Sequence, residues 1–303
     1  MESPLVVLLL VTLFFVGAPS LAQDAASSLH PVVLVPGNTC GQLDARLTDE
    51  YEPPAPGCGI PKQGRGWFRL WENFTALQED PSLLPCYCYA DQLRLVYDPV
   101  AGDYRNVPGV KTRVVSFGTT TSFRFDDPAR KNVCMEGLVE ALQGVGYIEG
   151  SNLFGAPYDF RYAPAAPSLS SQVFSDFSSS FRQLVERASE RNGNKPVILV
   201  THSMGGLFTM VFLDRPVAVA QEVHQALHHA MPWRRRLAAE HNYSADNMAE
   251  YLAAVGLSEE QVVLYRTRAL PVTLNLQAPL VPMTSINGIG MPTTDRLVYV
   301  LGW

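Results

Sequence analysis

The pentapeptide Thr201-His202-Ser203-Met204-Gly205 has residue types and spacing that suit acyl transfer. A serine hydroxyl is a weak nucleophile at neutral pH and needs both a defined presentation and a neighbouring base. A G-x-S-x-G turn supplies the presentation. It lifts the serine above a sheet, and the amide after the serine donates to a developing oxyanion. Thr201 stands where that pattern has its first glycine; threonine is small but β-branched, so the turn closes with some strain. Ser203 is the expected nucleophile and the Met204 amide an expected oxyanion donor. A serine between a strand and a helix also serves as a plain cap; the flanking His202, Gly205 and Gly206 favour the nucleophile.

The elements that must hold this turn are legible on both sides. Pro196-Val197-Ile198-Leu199-Val200 reads as a buried strand, and Gly206 begins an apolar helical run to Leu213. Far upstream, Pro31-Val32-Val33-Leu34-Val35 reads as a strand that runs into Pro36-Gly37-Asn38-Thr39-Cys40-Gly41. The Asn38 amide is the expected second oxyanion donor. Between them come strands at 93–97 and 112–117, a helix at 134–145, and a strand-then-loop at 152–161. An amphipathic helix follows at 174–191, with Phe177, Phe181 and Leu184 on one face. This alternation predicts a mainly parallel α/β sheet with helices on both faces.

Beyond Arg215 the pattern degrades. Residues 216–260 read as an atypical helical insertion or cap, with His224, His228 and His229 in a polar stretch. Residues 248–255 are helical, 272–276 strand-like, and 297–300 a last strand. A sheet of this type needs a strand soon after the elbow helix, and none is legible, so the fold is expected to be incomplete on its C-terminal side.

Composition narrows the function. The 303 residues are 47% hydrophobic, enough for one large domain or a domain plus a cap. The net charge is −6 with no long basic run, which gives nucleic-acid binding no support; Arg234-Arg235-Arg236 reads as a solvated face. Residues 5–16 form an apolar run too short to span a bilayer, followed by Ser20-Leu21-Ala22. Residues 1–22 are therefore an expected secretory signal; an uncleaved anchor is the alternative, because Glu2 and no Lys or Arg precede the run. Entry to an oxidising compartment fits five cysteines, an odd count that leaves one thiol over. Their spacings match no zinc motif, and neither a metal nor a cofactor is expected. The sequons at Asn73 and Asn242 are candidate glycosylation sites.

Residues 50–90 form an excursion dense in Pro and Gly. It carries Trp67 and Trp71 and then Leu83-Leu84-Pro85-Cys86-Tyr87-Cys88-Tyr89. Cys58 is placed to clip it onto Cys86 or Cys88. Such a segment is a candidate lipid-contacting lid, with buried core aromatics as the equal alternative.

Several motifs together resemble the lecithin:cholesterol acyltransferase family, and its plant members most. They are Val35-Pro36-Gly37 with Gln42-Leu43-Asp44-Ala45-Arg46-Leu47, Leu95-Val96-Tyr97-Asp98, Gly155-Ala156-Pro157-Tyr158-Asp159-Phe160-Arg161 and His202-Ser203-Met204-Gly205. The resemblance implies an α/β-hydrolase core with a membrane-binding subdomain. It implies a Ser–Asp–His triad that moves a phospholipid acyl group onto an alcohol or water. It assigns Ser203 as nucleophile, the Asn38 and Met204 amides as oxyanion hole, Cys58–Cys88 as the lid disulfide, and Trp71 as an interfacial aromatic. Asp159 and Arg161 would flank the acyl site, or form a buried ion pair at a strand end. The implied partners are a bilayer or lipid-particle surface and its acyl donor and acceptor.

Two members of the triad do not appear. The family's acid sits in a Gly-Asp-Gly loop and its histidine near the C-terminus. Here there is no such loop, no His follows His241, and nothing downstream of Asp295 could serve it. The sequence therefore carries two expectations: a lipid serine acyltransferase or phospholipase of the secretory pathway, and a shortened, catalytically impaired lipid-binding relative. A soluble esterase for small substrates fits the aromatic excursion less well.

Overall fold

The computed structural model describes residues 29–55, 64, 66–72, 84–124, 134–165, 169, 171–213, 243, 247–274 and 281–284. The first half holds β1 (Val32–Val35), β2 (Leu43–Leu47), β3 (Phe68–Trp71), α1 (Leu84–Leu93), β4 (Leu95–Asp98), β5 (Asp103–Asn106) and β6 (Val110–Val114). Next come α2 (Glu136–Gly144), β7 (Leu153–Gly155), α3 (Gln172–Arg191), β8 (Ile198–Thr201) and α4 (Met204–Leu213). The described chain closes with α5 (Met248–Ala254), α6 (Glu259–Leu264), a π-helical turn at Tyr265–Ala269 and α7 (Leu270–Leu274).

β1 is the middle strand of a parallel sheet ordered β7-β1-β8. All four of its residues are buried because both faces are covered. Alternation sends Val33 and Val35 to one side, onto Phe174, Phe177 and Phe181 of α3 and Phe208 of α4. Val32 and Leu34 face the other way, onto Val139 of α2 with Phe123 and Leu153. Helices thus pack on both faces, as the sequence predicts. α3 is held by its spacing: Phe174, Phe177, Phe181, Leu184 and Ala188 make one buried stripe, and the Ser171 hydroxyl caps the helix by accepting from Phe174 N.

Among the described residues the parallel sheet has three strands, fewer than expected. The strands predicted at 93–97 and 112–117 lie outside it, at Leu95–Asp98 and Val110–Val114. β4 pairs antiparallel with β5, and β6 antiparallel with β2 in a second sheet ordered β3-β2-β6. The turn after β4 is too short for a parallel crossover, and Gly102 in the left-handed region closes it. The strand-like 272–276 is also corrected: its described part lies in helix α7. A capping box at Ser258 and Gln261 starts α6, and the π turn carries that helical course on into Val272. The capping signal and helical continuity override the β-branched pair Val272-Thr273. Residues 216–242 and 297–300 lie outside the described residues; α5 occupies the helix expected at 248–255.

Candidate active site

The turn between β8 and α4 has the strand–turn–helix form that a nucleophile elbow needs. Ser203 sits at φ 52°, a left-handed conformation that a non-glycine residue adopts only where its surroundings enforce it. The enforcement comes from both sides. His202 N donates to Val35 O at 3.1 Å, extending the β1–β8 register past the strand end. Gly206 N donates to Ser203 O at 2.9 Å, which begins the helix on the serine itself. Gly205 lets the helix close on the sheet: a Cβ there would stand 2.3 Å from Pro36 O and 2.5 Å from Val35 O. Thr201 takes the pattern's first glycine position without disruption, its Oγ1 lying toward Gly206. Ser203 is exposed and Met204, first in α4, is half-buried.

The loop after β1 packs directly against this turn. A Cβ on Gly37 would meet His202 Nδ1 at 2.7 Å and Ser203 Cβ at 3.2 Å, so any larger residue there would have to displace the His202 ring. Asn38, the next residue, is exposed beside it. The two predicted oxyanion donors, the amides of Asn38 and Met204, therefore belong to segments that meet at Ser203.

Four supports fix the loop, and sequence reasoning assigned that role to none of them. Tyr158 is buried, stacks on Phe208 at 3.9 Å and donates its hydroxyl to Pro36 O at 2.9 Å. That burial pushes its phenol far above the usual tyrosine range, so it stays a donor. Trp71 Nε1 donates to Thr39 O at 2.8 Å while its ring packs on Phe160 at 5.1 Å. A disulfide joins Cys40 to Cys134 at the foot of α2. Gly41 is the fourth, since a Cβ there would lie 2.9 Å from Tyr158 O.

The other predicted residues fall as follows. Trp67 is 37% exposed, whereas Trp71 is half-buried and spends its indole N–H on the loop. Cys88 is disulfide-bonded; Cys58, Asn73 and Asn242 lie outside the described residues. Asp159 and Arg161 form a buried ion pair at 2.6 Å, which the Arg161 guanidinium extends to Thr112 Oγ1 at 2.9 Å. They brace the loop after β7, the structural one of their two expected roles. His30 bonds Pro196 O through Nδ1 at the start of β8, the end remote from Ser203. Among the described residues no side chain hydrogen-bonds the Ser203 hydroxyl, and none forms a cluster of three or more metal-ligating groups. A cleft of ≈ 550 Å³ lies beyond Arg161, walled by Leu95, Tyr162, Leu252, Leu257 and Leu264, with the Asp103–Arg268 ion pair in its lining.

The family model for lecithin:cholesterol acyltransferase matches residues 67–238. The chain is 36% identical over 345 residues to the lecithin-cholesterol acyltransferase-like 1 protein of Arabidopsis thaliana, covering 93% of this chain and 78% of the relative. The chain belongs to the lecithin:cholesterol acyltransferase family. The lecithin-cholesterol acyltransferase-like 1 protein of Oryza sativa subsp. japonica is 39% identical over 324 residues, covering 90% of this chain and 72% of that relative. A lysosomal phospholipase A and acyltransferase of Homo sapiens is 34% identical over 209 residues, 68% of this chain and 46% of its own. The alignment of 345 residues is longer than this 303-residue chain, so the Arabidopsis relative has residues at positions where this family member has none.

Proposed function

We propose that this protein is a lipid-metabolising serine acyltransferase or phospholipase. It takes a fatty acyl group from a phospholipid onto Ser203 and passes it to an alcohol or to water. The observation that carries this is Ser203 at φ 52° on the β8–α4 turn, with Gly37 packed on its Cβ. The hydroxyl would attack the ester carbonyl. The amides of Asn38 and Met204 would hold the tetrahedral oxyanion, a contribution on the order of 10²–10³ in rate per donor. The names of the relatives support a lipid ester as substrate, and the largely apolar cleft beyond Arg161 suits an acyl chain. Trp67, exposed just before β3, is proposed as a lipid-surface contact, and Cys58 as the partner of Cys88 in a lid disulfide. The Cys40–Cys134 bond and lysosomal relatives support a secretory or lysosomal location. The wider α/β-hydrolase sheet is part of the same proposal.

A second reading rests on one observation: no described side chain hydrogen-bonds the Ser203 hydroxyl. A serine without its base loses roughly four powers of ten in rate, leaving binding and the oxyanion hole. On that reading the chain is a lipid-binding relative with impaired chemistry. A fluorophosphonate probe decides. The enzyme reading expects covalent labelling that Ser203→Ala abolishes. No labelling, beside a labelled Oryza sativa relative, leaves the lipid-binding reading.

A further inference from the structure

The cleft beyond Arg161 holds two kinds of polar group in its lining, and only one kind is committed. The committed groups are the cations. Arg161 pairs with Asp159 at 2.6 Å, and Arg268 pairs with Asp103 at 3.1 Å. Asp103 lies in the lining too, and no other described residue there is charged. Each cation is therefore matched within the protein, and a phosphate or carboxylate entering the cleft meets no spare one.

The uncommitted groups are two hydroxyls. Tyr162 is 7% exposed and Ser171 4%, and both line the cleft. Ser171 Oγ accepts from Phe174 N at 3.4 Å, which leaves its own proton to give. Among the described residues the Tyr162 hydroxyl has no hydrogen-bond partner, and the Ser171 hydroxyl donates to none. Burial pushes the Tyr162 phenol up to about 12, so at neutral pH it is an uncharged donor. Buried hydroxyls ordinarily find partners, and two donors left over in one cleft point to a ligand that brings the acceptor. The walls around them are apolar, with Leu95 of β4 and Leu252, Leu257 and Leu264 from the α5–α6 stretch. The ligand that fits is uncharged, mostly aliphatic, and carries an oxygen along its length. A plain alkyl chain would strip both hydroxyls of water and leave them unpaired, which opposes its binding.

We propose that this cleft selects acyl chains bearing an oxygen of their own, a hydroxyl or an epoxide, with the Tyr162 and Ser171 hydroxyls as the donors that read it. This rests on the reading of the cleft as the seat of an acyl chain, and it names which chains. The loop after β7 ties the cleft to the serine. Tyr158 holds Pro36 O beside the elbow, and Tyr162 N donates to Asp159 O at 3.2 Å, closing the turn that leads from one to the other.

The test is binding to the full chain carrying Ser203→Ala, which removes turnover. Displacement of Nile red compares the methyl ester of octadecanoic acid with those of hydroxyoctadecanoic acids, the hydroxyl lying at mid-chain or near the methyl end. At least one hydroxylated ester is expected to bind roughly three- to tenfold more tightly than the plain one, the effect of one uncharged hydrogen bond. Tyr162→Phe should erase that preference without weakening the plain ester. Leu257→Arg should weaken every ester. Circular dichroism checks folding; were Tyr162→Phe not to fold, the ester comparison on the parent chain decides alone. Equal affinity for plain and hydroxylated esters overturns the proposal. So does a preference that survives Tyr162→Phe, or binding that ignores a folded Leu257→Arg. If no ester binds, the acyl reading of the cleft falls with this inference. Probe labelling of Ser203 is scored separately on the wild-type chain, so labelling without ester preference sinks this inference and leaves the catalytic reading standing.

Discussion

Replacing both Cys40 and Cys134 by Ala removes one cross-link and leaves the bond at Cys88 in place. The closed loop spans a sequence separation of 94. For that length the chain-entropy relation gives about 4.7 kcal/mol at 25 °C, and measured losses for native disulfides run from about 2 to 5 kcal/mol. With a urea m-value near the top of the usual range, about 3 kcal/mol/M, the unfolding midpoint should fall by roughly 0.7–1.6 M. The paired substitution isolates this bond, whereas a reductant would open both. Cys40 is 4% exposed, so alanine at that position loses little solvation but leaves a small void, which adds to the loss. Urea melts of the two proteins by circular dichroism measure the shift. A midpoint change under about 0.2 M at unchanged m would refute the reasoning, because the tie would then be closing a loop that the unfolded chain does not explore.

Two other expectations concern single residues. Ser203→Gly should raise stability by about 1 kcal/mol in the same melts, because glycine meets no Cβ penalty at φ 52°; Ser203→Ala should not. Equal effects of the two would mean that the turn holds no strain. Tyr51, 2% exposed and bonded to Asp91 Oδ2, has its phenol pushed up to about 12 by burial and by that carboxylate. The unfolded chain ionises near 10, so this contribution is full below pH 10 and is lost as pH rises from 10 towards 12. Urea midpoints across that window should fall for the wild type and fall less for Tyr51→Phe.

What could be read in the sequence was local. The β1 and β8 runs, the α3 stripe and the Ser203 turn are each set by residues within one or two turns of one another, and each is found where it was expected, although β8, expected to be buried, is half-buried to exposed. The missed features are tertiary. Five cysteines do not announce their pairing, and Cys40 meets Cys134 only because β1 and the foot of α2 converge. Trp71 reads as an interfacial aromatic in a Trp-rich stretch, yet its N–H is committed to Thr39 O across a strand that spacing cannot place. The strands between 93 and 117 were recognisable as strands, but their partners depended on turn lengths that hydrophobic periodicity does not weigh.

The state of β8 links the sheet to the chemistry. A strand that carries a nucleophile in an α/β sheet is ordinarily covered on both sides, as β1 is. Among the described residues β8 pairs only with β1, and its ends Ile198 and Thr201 are exposed, Ile198 by 45%. An apolar strand with an open edge invites pairing with another chain and adds no packing beyond the serine. The Gly37 loop packs against that serine on the β1 side, and a hydrolytic triad also needs a base within reach of its hydroxyl. Among the described residues, a β8 edge without a second neighbour goes with two observations at once: the weak burial of β8 and the lack of a side chain bonded to the Ser203 hydroxyl. If a strand of this or a second chain covers that edge in solution, amide exchange of Leu199 and Val200 will be slow and dilution will separate the two sources. Fast exchange at both residues at every concentration would leave the edge bare and favour the lipid-binding reading over the enzyme.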